Sequence, residues 1–182
     1  LLMEIVSRPQ PRERALRQDT ESPRIAALLL AAGQSKRMGA NNKLIAEVDG
    51  MPLVRHVAEA ARHALGTDLT VVTGAQPERI AAALEGIEKQ IVFNPQFDRG
   101  LSTSLRSGIQ VLADRATPPD GVLVLLGDMP RISQDVILKL VAGFDPAQGR
   151  EIIVPTDRGK RGNPVLWSAR FLNALSGIQG DT

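Results

Sequence analysis

Three observations predict an α/β domain with a mostly parallel sheet and helices on both faces. Short apolar runs recur at Ile25–Leu30, Leu69–Thr73 and Val122–Leu126. Each is apolar at successive positions, as a strand buried on both faces requires. Stretches with helical spacing separate the runs, and strands alternating with helices of about 10–15 residues define βαβ units.

The elements follow in order. Ile25–Leu30 is a strand ended by Gly33, and residues 34–43 are a polar loop. Leu44–Val48 with Asp49-Gly50 reads as a short strand and turn. Pro52–Leu65 has helical spacing, with Leu53, Val57, Ala60 or Ala61, and Ala64 on one face. Pro52 suits a first helical turn and Gly66 a helix end. Leu69–Gly74 is a strand and Pro77–Leu84 a helix. Gln90–Phe93 is a strand and Ser102–Ala113 a helix. Val122–Leu126 is a strand ending in Gly127-Asp128, and Ser133–Ala142 a helix. Ile152–Val154 and Asn163–Trp167 are extended, and Ala169–Leu175 is helical.

Residues 1–24 differ in texture. They are polar, punctuated by proline and without a period, so they read as a linker or as the tail of a fused upstream domain. Residues 25–182 form the domain. The chain opens on Leu1 and ends at Gly180-Asp181-Thr182 after a helical pattern, and so reads as a fragment of something longer.

Composition narrows the function classes. The chain has 182 residues, 43% apolar and 23% charged, which suits one domain with a core of ordinary size. It has no Cys, which excludes disulfides, thiolate zinc sites and a cysteine nucleophile, and fits a cytoplasmic location. Two His make multi-histidine chemistry a poor reading; His56 and His63 sit on one predicted helix with no acid or nucleophile motif beside them. The net charge is +2 and no segment is a basic arm. With 3% aromatics and no Tyr there is no stacking platform for nucleic acid. No apolar run reaches the ~18 residues of a membrane span. The Gly-x-Ser-x-Gly elbow of acyl-transfer enzymes is absent.

Parallel sheets bind ligands at the carboxyl ends of their strands, where the strand order reverses. Five polar segments fall at such ends, 31–43, Thr73-Gly74, 94–104, Gly127-Asp128 and 156–163, and four of these regions carry candidate chemistry. The first is Leu30-Ala31-Ala32-Gly33-Gln34-Ser35-Lys36-Arg37-Met38-Gly39. Its small residues let the backbone approach a polyphosphate, and successive amides can cradle the oxygens. Arg37 can hold two oxygens at once, and Lys43 adds a point charge. The segment is neither a Walker loop nor the three-glycine dinucleotide fingerprint. The alternative is a solvated surface loop.

The second segment is Gly127-Asp128-Met129-Pro130, which puts a carboxylate over the crevice. Mg²⁺ takes one or two such carboxylates and completes its shell with phosphates and waters. Capping of the next helix by Asp128 is the alternative, but Ser133 already suits that role. The third runs from Asn94 to Ser104 and sets three hydroxyls, Ser102, Thr103 and Ser104, at a helix start. Capping explains one of them. The fourth, Asp157 to Pro164, carries Arg158, Lys160 and Arg161 between glycines, a mobile cationic loop for an anionic second substrate or a solvated loop.

Together these motifs resemble the nucleotidyltransferases of molybdopterin, the molybdenum cofactor cytidylyltransferase and guanylyltransferase family. The similarity spans residues 25–182. It rests on Leu30 to Gly39, Asn42-Lys43-Leu44, the Asn94 to Ser104 segment with Leu105 and Gly108, Gly127 to Pro130, and Gly162-Asn163-Pro164. The resemblance implies a Rossmann-like, three-layer nucleotidyltransferase fold and transfer of a nucleotide to a phosphorylated acceptor, with pyrophosphate released. The guanylyl branch has Leu-Ala-Gly-Gly at the first motif. Ala31-Ala32-Gly33 looks like the cytidylyl branch, which implies CTP as the nucleotide and the molybdenum cofactor as the acceptor. Methylerythritol-phosphate cytidylyltransferases share Ala-Ala-Gly and a following Arg-Met, but their aspartate lies in an Asp-Ala-Ala-Arg context, so an enzyme like theirs is the alternative function.

Residue by residue, the resemblance implies a nucleotide site of Ala31, Ala32, Gly33, Ser35, Arg37, Lys43, Ser104 and Asp128. Arg37, Lys43 and Asp128 are its catalytic members, and Asp128 is its Mg²⁺ ligand. Arg158, Lys160, Arg161 and Asn163 meet the acceptor. The family carries a second metal-binding Asp in an Asp-x-Asp-Thr motif, and the chain stops before it; Asp181 belongs to a Gly-Asp piece found upstream. The implied partners are small molecules, with a fused upstream domain or a molybdoenzyme client besides. The rival class is a non-catalytic nucleotide-binding module of a fused protein, which the same fold would serve.

Overall fold

The run Ile25–Ala31 becomes the centre of the sheet. In a computed structural model, which describes residues 2–5 (backbone only), 22–33 and 42–178, it forms strand β2, and all seven of its residues are buried. β2 pairs in parallel with β5 (Leu69–Thr73) on one side and with β7 (Gly121–Leu126) on the other. Beyond β5 lies β6 (Gln90–Phe93), also parallel. The chain therefore leaves β2 in one direction to β5 and β6, then returns to β2's other flank as β7. That reversal is the point at which such sheets open a crevice.

Alternate residues of β2 feed two separate cores, as the period of two along a strand dictates. Ala27, Leu29 and Ala31 pack with α1 (Leu53–Leu65), α2 (Pro77–Ala83) and α4 (Gln134–Gly143). Ala26, Leu28 and Leu30 pack with α3 (Leu101–Ala113) and α5 (Leu172–Ser176). The three layers expected from the sequence are present. Burying each leucine of β2 is worth about 1.5–3 kcal/mol, so the central strand is also the energetic centre. Gly108 lets α3 lie this close: a Cβ there would collide with Leu28 Cδ1 and sit 2.9 Å from Val72 Cγ2.

The other half of the sheet is mixed. β8 (Ile152–Asp157) and β7 flank β10 (Val165–Ser168), which runs antiparallel to both. At the far edge β1 (Leu2–Ile5) pairs antiparallel with β8, from Leu2↔Thr156 to Ile5↔Ile153. This corrects the reading of residues 1–24 as linker for its first residues. The apolar Leu2, Met3 and Ile5 have strand character that disappears when averaged with the proline-rich stretch after them. Residues 6–21 lie outside the described part.

Three further elements depart from expectation. Lys43–Ile45 is a 3₁₀ turn rather than strand, because Asn42 Oδ1 accepts from Leu44 N at 3.0 Å and tightens the chain. β3 (Glu47–Val48) and β4 (Met51–Pro52) then make a hairpin with Asp49 and Gly50 at its corner, both at positive φ, as a two-residue turn demands. Pro52 caps α1 from outside rather than opening it. Residues 169–171 are a 3₁₀ turn ahead of α5. Ser133 caps α4 as expected, accepting from Val136 N. No helix of the described residues is long and apolar enough to cross a membrane.

Candidate functional site

A cleft of about 630 Å³ opens where β2 and β7 end. Gly127 N donates to Leu30 O at 3.0 Å, which continues the β2–β7 ladder to the rim. Ala32 and Gly33 emerge from β2 at the floor, and Asp128 emerges from β7 beside them. The cleft also takes Lys43 and Ser104. Five residues proposed from three segments of the sequence thus share one cavity.

Local packing sets their geometry. Leu44 is buried and lies over Gly127, where a Cβ would sit 3.1 Å from Leu44 Cδ2 and 3.3 Å from Leu30 O. That contact brings the neighbouring Lys43 to Asp128, with Nζ 3.2 Å from Oδ2. Both side chains are close to half exposed, at 48% and 43%. An ion pair this wet adds no more than about 1 kcal/mol to stability. It is better described as a cation and an anion held ready at the rim than as a fold determinant.

Ser104 is positioned by a residue that sequence reasoning did not single out. Asn94, at the end of β6, is buried, and its Nδ2 donates to Ser104 Oγ at 3.0 Å and to Thr103 Oγ1 at 2.9 Å. Its Oδ1 accepts from Gln96 N at 2.9 Å. Thr103 Oγ1 lies 2.9 Å from both Gln96 O and Gly100 O. Thr103 is therefore a structural hydroxyl that ties the turn to the helix start, while Ser104 faces the cleft. The signal for Asn94 was its place directly after a strand, within reach of a helix N-terminus.

The far wall is a 3₁₀ turn, Phe97–Arg99. Phe97 packs over Gly74, where a Cβ would overlap Phe97 Cβ and lie 2.9 Å from Ala32 Cβ. Gly74 thus lets the aromatic ring close down beside the floor. Asp98 and Arg99 on the same turn are exposed and line the cleft.

Other expected residues fall elsewhere. Ala31 has its side chain in the core and pairs with Thr73, so it supports the floor from below. Ser35 and Arg37 lie outside the described residues. The cationic segment forms a short hairpin rather than an irregular loop. Lys160 and Arg161 form β9, which pairs with β8 through Asp157↔Lys160 and Thr156↔Arg161. Arg158 at φ 50° and Gly159 at φ 77° make the corner. Gly162 N donates to Pro155 O at 2.9 Å beside the pair. Arg158, Lys160 and Arg161 are exposed on it and do not line the cleft, whereas Asn163 borders an adjoining pocket.

A crevice at the reversal point of a parallel sheet, with a carboxylate at a strand end and a cation and a hydroxyl brought beside it by a 3₁₀ turn and α3, defines an α/β ligand-binding domain of the doubly wound kind. Within that class the chain belongs to the MobA-like NTP transferase domain family, whose model matches residues 27–182. A protein described as a "Probable molybdenum cofactor guanylyltransferase" from Natronomonas pharaonis is 31% identical over 128 residues, 70% of this chain and 59% of that protein. The chain thus spans less than two thirds of that relative's length. Among solved structures, a nucleotidyl transferase from Methanothermobacter superposes with a TM-score of 0.71 at 24% identity, covering 86% of this chain and 77% of the other. A manganese complex of a Mycobacterium tuberculosis protein superposes with a TM-score of 0.67 at 23% identity, covering 87% and 78%. At these identities the two structures speak for the fold.

Proposed function

We propose that this domain transfers CMP from CTP to a phosphorylated acceptor, the molybdenum cofactor or its pterin precursor, and releases pyrophosphate. The observation that carries the proposal is the meeting of Lys43, Asp128, Ser104 and the Ala32-Gly33 backbone in one cleft. Reactions of this type need positioning and charge neutralisation more than covalent chemistry. The acceptor's phosphate oxygen forms a bond to the α-phosphorus, the bond from that phosphorus to the α–β bridging oxygen breaks, and pyrophosphate departs with the electron pair. Lys43, with Arg37, holds the β- and γ-phosphates and stabilises the leaving charge. Ala32, Gly33 and Ser35 offer backbone amides to the phosphates, and Ser104, steadied by Asn94, meets the base.

The donor set suits Mg²⁺. Asp128 offers one carboxylate at the rim and Asp98 a second on the same cleft. Mg²⁺ binds through few carboxylates and takes its remaining ligands from phosphates and water. Asp128 would hold it, and the ion would supply positive charge to the nucleotide phosphates. Asn163 and the cationic side chains Arg158, Lys160 and Arg161 are the chain's candidates for the acceptor. A cytoplasmic location and a molybdoenzyme client or fused partner complete the reading.

The relative from Natronomonas is named for guanylyl transfer, so GTP is the second reading. Calorimetric titration of the full chain decides between them. CTP binding more tightly than GTP supports the cytidylyl reading; GTP binding tenfold more tightly, about 1.4 kcal/mol, replaces it with the guanylyl one. Binding of neither leaves no support for nucleotide transfer.

A further inference from the structure

The sheet has an open edge away from the cleft. β6 pairs with β5 on one side, and no strand of the described residues pairs with its other side. Asn94 N donates to Thr73 O at 2.8 Å, one step beyond the Thr73↔Phe93 pair. Alternate residues of a parallel strand bond to the same neighbour, so Val92 and Asn94 face β5. The N–H and C=O groups of Ile91 and Phe93 therefore point outward, to the open edge. Their side chains share one face of the sheet and are 43% and 54% exposed. We infer that this edge takes a second copy of the chain, β6 against β6, antiparallel about a two-fold axis through Val92. The inference stands apart from the nucleotide-transfer reading.

Register, charge and the place of the cleft agree on that occupant. Directly opposed residues of antiparallel strands exchange both backbone bonds at every second pair. With Val92 opposite itself, Ile91 faces the partner's Phe93 and Phe93 the partner's Ile91. Every outward group of the two residues is then satisfied, and the exposed isoleucine covers the exposed ring on both sides of the axis. Pro95 is the next residue whose backbone would face outward, and it has no N–H, so the pairing ends there. β6 itself carries no charge. Edges are ordinarily guarded by lysine, proline or a bulge, but the adjacent Lys89 is turned away. Its Nζ donates to Leu84 O at 2.8 Å and to Ile87 O at 2.9 Å. Antiparallel pairing also keeps the two Glu88 side chains at opposite ends, so no like charges meet at the axis. β6 runs parallel to β2 and β7, whose carboxyl ends open the cleft. The two-fold thus sends the two clefts to opposite ends of one continuous sheet and leaves both open. Four residues of edge fall well short of the ~800 Å² per partner of a standard interface, so the dimer exchanges with monomer.

Sedimentation velocity and amide hydrogen exchange of the full chain, from ~1 to ~300 μM, test this, because a small interface places the dissociation constant on the order of 10–100 μM. The sedimentation coefficient should climb from monomer towards dimer across that range. The amides of Ile91 and Phe93 should gain protection with concentration, by several-fold at the upper end, whereas that of Val92, already in the β5 ladder, should change little. Ile91→Lys sets two ammonium groups beside the axis and should weaken the dimer by about tenfold or more. Its side chain is exposed, so the thermal midpoint should stay near the parent's. A monomer throughout the range overturns the inference. So does a dimer in which the Ile91 and Phe93 amides stay unprotected, or one that a folded Ile91→Lys leaves unweakened. The exchange measurement uses the parent chain and decides the matter even where the variant fails to fold.

Discussion

Lys43 Nζ and Asp128 Oδ2 stand 3.2 Å apart across 85 residues of sequence because Leu44 packs over the bare Cα of Gly127. The 3₁₀ turn carrying Lys43 and the end of β7 carrying Asp128 are thereby locked as one unit. The pair is wet, so its removal should change function more than stability. Lys43→Met should leave the unfolding free energy within about 1 kcal/mol of the parent. It should weaken CTP by on the order of tenfold, about 1.4 kcal/mol. Chemical denaturation and calorimetry on the same variant give both numbers. A large stability loss with unchanged CTP affinity would make the pair structural.

Asn94 holds Ser104 and Thr103 from a buried site. Asn94→Ala removes two donated hydrogen bonds and one accepted one. The cost should be about 1–3 kcal/mol, the range for buried polar groups left unpaired. Base discrimination should fall with it. Ser104→Ala, which leaves Asn94 bonded to Thr103, should affect cytidine binding with a smaller stability loss. Equal binding of CTP and UTP by the parent would remove Ser104 and Asn94 from base recognition.

Gly108 separates propensity from packing. In an isolated helix, glycine to alanine stabilises by about 0.8–1 kcal/mol. In α3 the added methyl meets Leu28 and Val72, and overpacking of that kind costs about 1–3 kcal/mol. Gly108→Ala should therefore destabilise, as read by the denaturation midpoint. A stabilised variant would mean that α3 sits further from β2 than described.

Arg37 tests the phosphate clamp from the sequence side. If it grips the triphosphate tail, Arg37→Ala weakens CTP by about 1.5–3 kcal/mol, the scale of a charge-assisted hydrogen bond, and leaves cytidine unchanged. Equal weakening of both ligands would place the loop against the nucleoside.

Much of this architecture is legible in the sequence, for a physical reason. Strands buried on both faces, such as β2 and β7, must be apolar at every position, and the helices between them must carry one apolar stripe. Those patterns are local. The carboxyl ends of the same strands are then known, and Ala32, Gly33 and Asp128 fall on the cleft without any knowledge of side-chain contacts. What escapes is long-range. Nothing in the run Val165–Ser168 states that it inserts antiparallel between β7 and β8. The hairpin at Arg158-Gly159 lacks the Asn-Gly or Asp-Gly signal and places a non-glycine residue at positive φ, so its basic side chains read as a loop. Asn94 looks like a strand terminus until the turn folds Thr103 and Ser104 back onto it.

On the proposed reading, the cleft at the ends of β2 and β7 performs nucleotidyl transfer, with Asp128 as its carboxylate. Pyrophosphate release from CTP, with molybdopterin as acceptor and Mg²⁺ saturating, measures this directly in the full chain and in its Asp128→Asn variant. The substitution keeps size and removes charge, so thermal stability should hold. Turnover should fall by at least ~100-fold, the scale on which a key electrostatic stabiliser acts. Near-parental turnover by a folded Asp128→Asn would contradict the account and move the active site elsewhere.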